Sequence, residues 1–181
     1  MTTKTFGEKE ITIRSLSDDD LQHVEKLQEF INSLIKEEAK ISLNKEVSVD
    51  EERDFLIRTL KDVKSAKEVF LVAEHNNQVV GTTSITLKPG RQSHVGQFGI
   101  TIKDGYRGIG LGKYLMGEII RLAQEELASK PKIIWLDVYP NNKPAIALYE
   151  SYGFKKVAEI PDQIDYKGEL IDLVVMLLYL S

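Results

Sequence analysis

Apolar and polar positions alternate around Ile11 and Ile13, the spacing of a strand with one buried face. Ser17-Asp18-Asp19-Asp20 then reads as an N-cap followed by an acidic first turn, and Leu21, Val24, Leu27, Phe30, Ile31 and Leu34 fall at helical spacing up to Ile35. After a break near Ser42 to Lys45, Ser48-x-x-Glu51 is a capping box that starts a second helix, with Phe55, Leu56 and Leu60 as its apolar stripe. The period then changes. Glu68 to His75 and Val79 to Lys88 are β-rich runs joined at Asn76-Asn77, a hairpin signal; Pro89-Gly90 marks a turn, and Val95 to Ile102 is a further strand.

The second half alternates between the two periods. Leu111, Leu115, Ile119 and Leu122 share one face of a helix that fades at Ser129-Lys130-Pro131, and Ile133 to Val138 is a short buried strand, so a right-handed parallel crossover is expected. Pro144 fits the first turn of a short helix that runs to Tyr152 and stops at Gly153. Phe154 to Ile160 and Leu170 to Leu180 are the last strands, with a polar loop containing Lys167-Gly168 between them. The predicted order is β-α-α-β-β-β-α-β-α-β-β, with no linker or repeat, so residues 1–181 are expected to form one α/β domain.

Hydrophobic content of 42% and charged content of 29% are ordinary for a soluble globular chain. A net charge of −4 without a basic cluster argues against nucleic acid as a partner. The absence of cysteine excludes disulfides, thiolate metal sites and a cysteine acyl-enzyme. The N-terminus lacks the apolar core of a signal peptide, and the longest apolar run, Leu173 to Leu180, is too short to span a bilayer, so a cytoplasmic protein without membrane attachment is expected. His23, His75 and His94 are scattered, and no metal-ligand spacing occurs.

Between the strand ending at Ile102 and the next helix lies Tyr106-Arg107-Gly108-Ile109-Gly110-Leu111-Gly112-Lys113. Glycines at alternate positions strip Cβ atoms from one side of a helix N-terminus, where free N–H groups and the dipole favour a phosphate or pyrophosphate. It is not a Walker A loop, since Arg107 stands where its first Gly belongs and Tyr114, not Ser or Thr, follows Lys113. Nor is it a Rossmann fingerprint, because Lys113 occupies the third Gly position and no βαβ unit precedes it. A glycine-rich turn that binds nothing is the plain alternative.

The segment does fit Arg/Gln-x-x-Gly-x-Gly, with Arg107, Gly110 and Gly112, and about thirty residues later Trp135-Leu136-Asp137-Val138 leads through Asn142 and an Ala-rich helix to Leu148-Tyr149 and Gly153-Phe154. Together these resemble the acetyl-CoA loop and second half of the signature of the GNAT superfamily of N-acetyltransferases. The resemblance implies a mixed central sheet flanked by helices, acetyl-CoA as co-substrate, no metal, and direct attack by an amine in a ternary complex. It assigns the pyrophosphate to the loop from Arg107 through Gly108, Ile109, Gly110, Leu111 and Gly112 to Lys113, and the thioester and acyl group to the strand at Ile100, Thr101 and Ile102. Asn142 matches the residue that hydrogen-bonds the CoA arm, with helix capping as the alternative. Tyr149 matches the phenol that protonates the leaving thiolate, with a core aromatic as the alternative.

Chemistry adds its own demands. An alkylamine is almost wholly protonated at neutral pH, so a base or a desolvating site must remove a proton before attack. Asp137 shares a strand face with Ile133 and Trp135, and a carboxylate ending an apolar strand is a candidate base if burial raises its affinity for protons. The resemblance places Glu at this position in several relatives; Asp is one methylene shorter, and capping a nearby N–H or binding a substrate cation are the alternatives. Arg107 and Lys113 could offset phosphate charge or be solvated.

The expected function is acetyl transfer to a primary amine: a peptide N-terminus, a lysine, an amino acid or a polyamine. A non-catalytic acyl-CoA-binding module and a transferase using another acyl donor are the alternatives. From 18 to 62 there are 13 acidic against 7 basic residues, which would favour a cationic acceptor if they line its groove and are otherwise solvated helix faces. The apolar last strand offers an edge for pairing in a homodimer.

Overall fold

The computed structural model describes residues 1–180; Ser181 lies outside the described residues. Eight strands form one sheet: β1 (Thr2–Phe6), β2 (Lys9–Ser15), β3 (Glu68–His75), β4 (Gln78–Leu87), β5 (Val95–Ile102), β6 (Ile133–Val138), β7 (Lys155–Tyr166) and β8 (Glu169–Tyr179). Their spatial order is β1-β2-β3-β4-β5-β6-β8-β7, antiparallel everywhere except between β5 and β6. Helices α1 (Val24–Lys36) and α2 (Val49–Lys64) cover one face, and α3 (Leu111–Glu126), the crossover from β5 to β6, covers the other. The short α4 (Lys143–Ser151) follows β6.

Strand alternation divides the core in two. Val69, Leu71 and Ala73 of β3 join Leu111, Leu115, Met116 and Ile119 of α3, while Phe70 and Val72 turn the other way to meet Val24, Leu27, Leu34, Leu56 and Leu60. The hairpin turn holds Asn76 and Asn77 at φ of 50° and 63°, the left-handed pair a two-residue turn needs and that Asn tolerates.

Several expectations are corrected. Strand β1 was not foreseen: Thr2-Thr3-Lys4-Thr5 is exposed and only Phe6 is buried, so the segment carries no apolar alternation. The helix expected from Leu21 is broken at His23. A 3-10 turn, Asp18–Gln22, precedes it because Arg14 draws the buried Asp20 carboxylate inward through bonds of 2.7 and 2.9 Å. Phe55 is 40% exposed, so the α2 stripe is Glu52, Leu56, Thr59 and Leu60 instead. Strand β8 is hydrogen-bonded to β6 on one side and β7 on the other, so the last strand has no free edge with which to pair in a dimer.

Glu52 gives the fold a testable pH dependence. It is buried on the inner face of α2, and that burial pushes its carboxyl up to about 7. The unfolded chain releases this proton at lower pH than the folded one, so stability should fall as pH rises from the ordinary Glu value to about 7, then level off. Glu52→Gln should remove that decline and stabilise the protein at pH 8 by about 1–3 kcal/mol. Urea melts at pH 5 and pH 8 measure this, and equal wild-type stability at both pH values would contradict it.

Candidate active site

The centre of the site is a gap in the sheet. Strands β5 and β6 pair only at Val95↔Ile133, Gly96↔Ile134 and Gln97↔Trp135, although β5 continues to Ile102 and β6 to Val138. Lys88 N–H donates to the Val95 carbonyl and Lys103 N–H to that of Val80, so the odd-numbered residues of β5 turn their backbone groups toward β4. By alternation the even-numbered ones turn toward β6, as the bond from Lys132 N–H to the His94 carbonyl shows at the other end. Beyond Gln97 no β6 backbone meets them, and the N–H groups of Ile100 and Ile102 face the gap. Thr101 points the other way: its backbone pairs with β4 and its hydroxyl meets Thr82 Oγ1 at 2.8 Å, so it braces the strand.

The glycine loop adjoins the end of β5. Gly108 and Gly110 have φ of 75° and 92°, and Gly110 is the residue before α3. Tyr114 N–H makes the first helical bond, to the Gly110 carbonyl, which leaves the N–H groups of Leu111, Gly112 and Lys113 without intrahelical acceptors. Gly112 serves by size, since a Cβ there would lie 3.1 Å from Ile102 Cδ1. The Leu111 side chain is fully buried and anchors the loop in the core. Lys113 is exposed beside a surface hollow of about 360 Å³ that Tyr114, Gly117 and Tyr152 also line.

Arg107 does not stand free to offset phosphate charge. Its guanidinium pairs with Glu37 at the end of α1, and its Nε donates to the Ile102 carbonyl at 2.7 Å. Glu37 also accepts from Asp104 N–H at 3.2 Å, so this carboxylate ties α1 to the loop. The β1–β2 hairpin supports the loop from the other side: Phe6 packs at a tilt against Tyr114 with centroids 5.6 Å apart, Ile109 lies against Gly7, and Lys9 donates to the Gly105 carbonyl.

On the α3 face, Tyr149 of α4 is buried edge-on to Phe98, with centroids 5.9 Å apart, and contacts Phe154. Burial pushes its phenol up to about 12. No described residue hydrogen-bonds the hydroxyl, and no enclosed side-chain oxygen or nitrogen lacks a partner, so the hydroxyl opens to solvent-accessible space rather than into the core. Asn142 precedes α4, and its side chain makes no capping bond, which leaves the amide available. Ile100 and Ile102 turn half-buried side chains to this same face.

Asp137 lies on the opposite face with Trp135 and Gln97. Its carboxylate is exposed, so the premise of a buried carboxylate does not hold; one oxygen accepts from Trp135 Nε1 at 2.8 Å and the other meets the Gln97 amide at 3.5 Å. Around this face the α1–α2 connector is fastened across the sheet. Tyr139 donates to the Ile41 carbonyl at 2.8 Å, Lys40 to that of Asn141 at 2.9 Å, and Tyr166 to that of Glu38 at 3.2 Å. Gln97, Glu37, Tyr139 and Tyr166 escaped the sequence reading, because contacts spanning the chain leave no local pattern. No group of His, Cys, Asp and Glu among the described residues could hold a metal ion, and no helix among them is long and apolar enough to cross a membrane.

The model of the acetyltransferase (GNAT) family matches residues 30–154. The L-amino acid N-acetyltransferase AaaT of Escherichia coli is 33% identical over 108 residues, which is 59% of this chain and 65%, just under two-thirds, of that protein. A GNAT-family acetyltransferase of Streptococcus pneumoniae superposes with a TM-score of 0.81 at 25% identity, covering 94% of this chain and 99% of its own. A Salmonella typhimurium protein solved with its cofactor acetyl-CoA has the same fold, with a TM-score of 0.78, 22% identity and 94% of each chain covered. A family match over more than half the chain, joined to a parted β5–β6 pair and a glycine loop at the start of α3, places this chain in the GNAT acetyltransferase family.

Proposed function

We propose that the chain is an acetyl-CoA-dependent N-acetyltransferase that acylates a primary amine by direct attack. The observation that carries the reading is the gap between β5 and β6. Open N–H groups of Ile100 and Ile102 face it, free N–H groups at the start of α3 lie beside it, and Asp137 stands on the far side of the sheet. Phosphate oxygens would meet Leu111, Gly112 and Lys113 N–H at the positive end of α3, and the Asn142 amide would hold the CoA arm. Ile100 and Ile102 N–H are the donors for the oxyanion that forms when nitrogen bonds to the thioester carbon.

By its place beside the gap and its orientation by Trp135, rather than by burial, Asp137 would take one proton from the acceptor ammonium; the free amine attacks, the C–S bond breaks, and the nitrogen's second proton passes to the thiolate or to water. Tyr149 acts on the leaving sulfur. A phenol near 12 stays protonated opposite a thiolate of ordinary thiol pKa, about 8.5, so it donates a hydrogen bond that spreads the leaving charge without surrendering its proton. Thiol release from acetyl-CoA with a panel of amino acids, polyamines, aminoglycosides and short peptides tests the reading. Binding of acetyl-CoA without turnover of any amine would make the chain a binding module.

If Asp137 takes the amine proton, Asp137→Asn should lower kcat/KM roughly 10- to 100-fold at pH 7. The loss should shrink as rising pH supplies free amine. A pH profile of both proteins checks this, and a loss equal at every pH would leave Asp137 with only an orienting role.

A further inference from the structure

Resting on the transferase reading, we propose that Lys88 is the carboxylate-binding residue of the acceptor site, so the acceptor is a free amino acid and not a polyamine or a protein lysine. Lys88 follows β4 on the same sheet face as Gln97, Trp135 and Asp137. Its ammonium is held 3.7 Å from the centroid of the Trp135 ring, and the Nε1 of that indole donates to Asp137 Oδ1 at 2.8 Å. A cation and a carboxylate are thus displayed on two sides of a single indole.

The two charges are arranged for opposite ends of a small ligand. Trp135 occupies the last rung of the β5–β6 ladder, and Asp137 stands one pleat further on, beside the gap where β5 loses its partner. An amine bound at Asp137 therefore lies next to the Ile100 and Ile102 N–H groups, while anything attached to it and turned back along the indole arrives at Lys88. An α-ammonium and its carboxylate, each with one hydrogen bond to the protein, span a gap of one ring.

Lys88 is half-buried yet makes no ion pair with any described carboxylate, so its charge is unspent. The β4–β5 connection adds exposed Arg91, and no acidic residue occurs from Ile85 to Gly96; the nearest acid on β3 of this face, Glu68, is buried and bonded to the Ser84 and Thr86 hydroxyls. Several of the acids that would attract a polycation are engaged with other groups. Glu37 holds Arg107, Glu38 holds Lys167, Asp20 holds Arg14, Asp18 holds Lys64, Glu46 holds Lys36, and Glu51 caps α2. Six of the 13 acidic residues between 18 and 62 are thus engaged in pairs or a cap.

The test is thiol release from acetyl-CoA with free L-amino acids, each beside its own carboxamide, and with spermidine. A carboxamide carries the less basic amine and so offers more free nucleophile at neutral pH, so a preference for the acid cannot come from amine reactivity. Wild type should prefer at least one acid over its amide by about 10-fold or more in kcat/KM, the effect of one charge-assisted hydrogen bond. Lys88→Met keeps the stem on the indole and removes the charge, and should erase that preference; Lys88→Arg should retain most of it. Wild-type preference for the amides or for spermidine overturns the proposal, as does an acid-over-amide ratio that survives in Lys88→Met. Failure to acetylate any of these amines overturns this proposal, and the transferase reading falls with it only if aminoglycosides and short peptides also release no thiol while acetyl-CoA binds in calorimetry.

Discussion

Gly110→Val is expected to lower acetyl-CoA affinity by about 100-fold or more, because several charge-assisted N–H contacts, each of roughly 1.5–3 kcal/mol, depend on one backbone conformation. Gly110 sits at φ of 92°, where a β-branched residue is strained by about 1–3 kcal/mol. The strain is relieved if the backbone at Gly110 swings back to negative φ, which would re-aim the Leu111, Gly112 and Lys113 N–H groups proposed to hold the phosphates. The nearest side-chain atom to a Cβ at this position is Phe6 Cδ1 at 4.0 Å, so the substitution meets space and the fold should survive. Gly168→Val is the matched control. Its φ is 81°, nothing lies within 4 Å of its Cβ position, and it stands in the β7–β8 turn, so it imposes similar strain away from the loop. Calorimetric titration with acetyl-CoA should separate the two variants. Wild-type affinity in Gly110→Val would remove the loop from the site.

Much of this arrangement could be read before folding, for a physical reason. The glycine loop, the capping box at Ser48 and Glu51 and the Asn76-Asn77 turn are set by residues within a few positions of each other, and their backbone geometry follows from local sterics and caps. The strands β3 and β4 announce themselves because their alternation separates two cores. What stayed hidden depends on distance along the chain. Arg107 finds Glu37, Tyr139 finds Ile41 and Tyr166 finds Glu38 across separations of 70, 98 and 128 residues, and no periodicity encodes such pairs. The exposure of Asp137 was hidden for a related reason. An alternating strand predicts which face a side chain takes, not whether a helix covers that face, and α1 and α2 pack over β4 and β3 instead. Lys88 gave no signal because its meaning comes from Trp135, which reaches the same face by a parallel crossover through α3.

Tyr149→Phe should reduce kcat by roughly 10- to 1000-fold while acetyl-CoA affinity changes little, since in the proposed site the phosphates and not the thioester anchor the ligand. The ring makes edge and tilted contacts with Phe98 and Phe154 that phenylalanine preserves, and the hydroxyl takes no bond from the protein, so thermal stability should stay near wild type. The pH behaviour distinguishes this loss from that of Asp137→Asn. With the phenol held near 12 by burial, Tyr149 is protonated from pH 6 to pH 10, and in the proposed mechanism its contribution is a hydrogen bond of constant strength. The ratio of wild-type to Tyr149→Phe kcat should therefore be flat from pH 6 to pH 10, whereas the Asp137→Asn ratio declines with rising pH. Single-turnover measurements keep product release from masking the chemical step. An unchanged single-turnover rate with an altered Tm would make Tyr149 a core aromatic. The oxyanion donors on β5 would then be the only groups acting on the departing thioester, and a thiol with a pKa near 8.5 is a good enough leaving group for that to suffice.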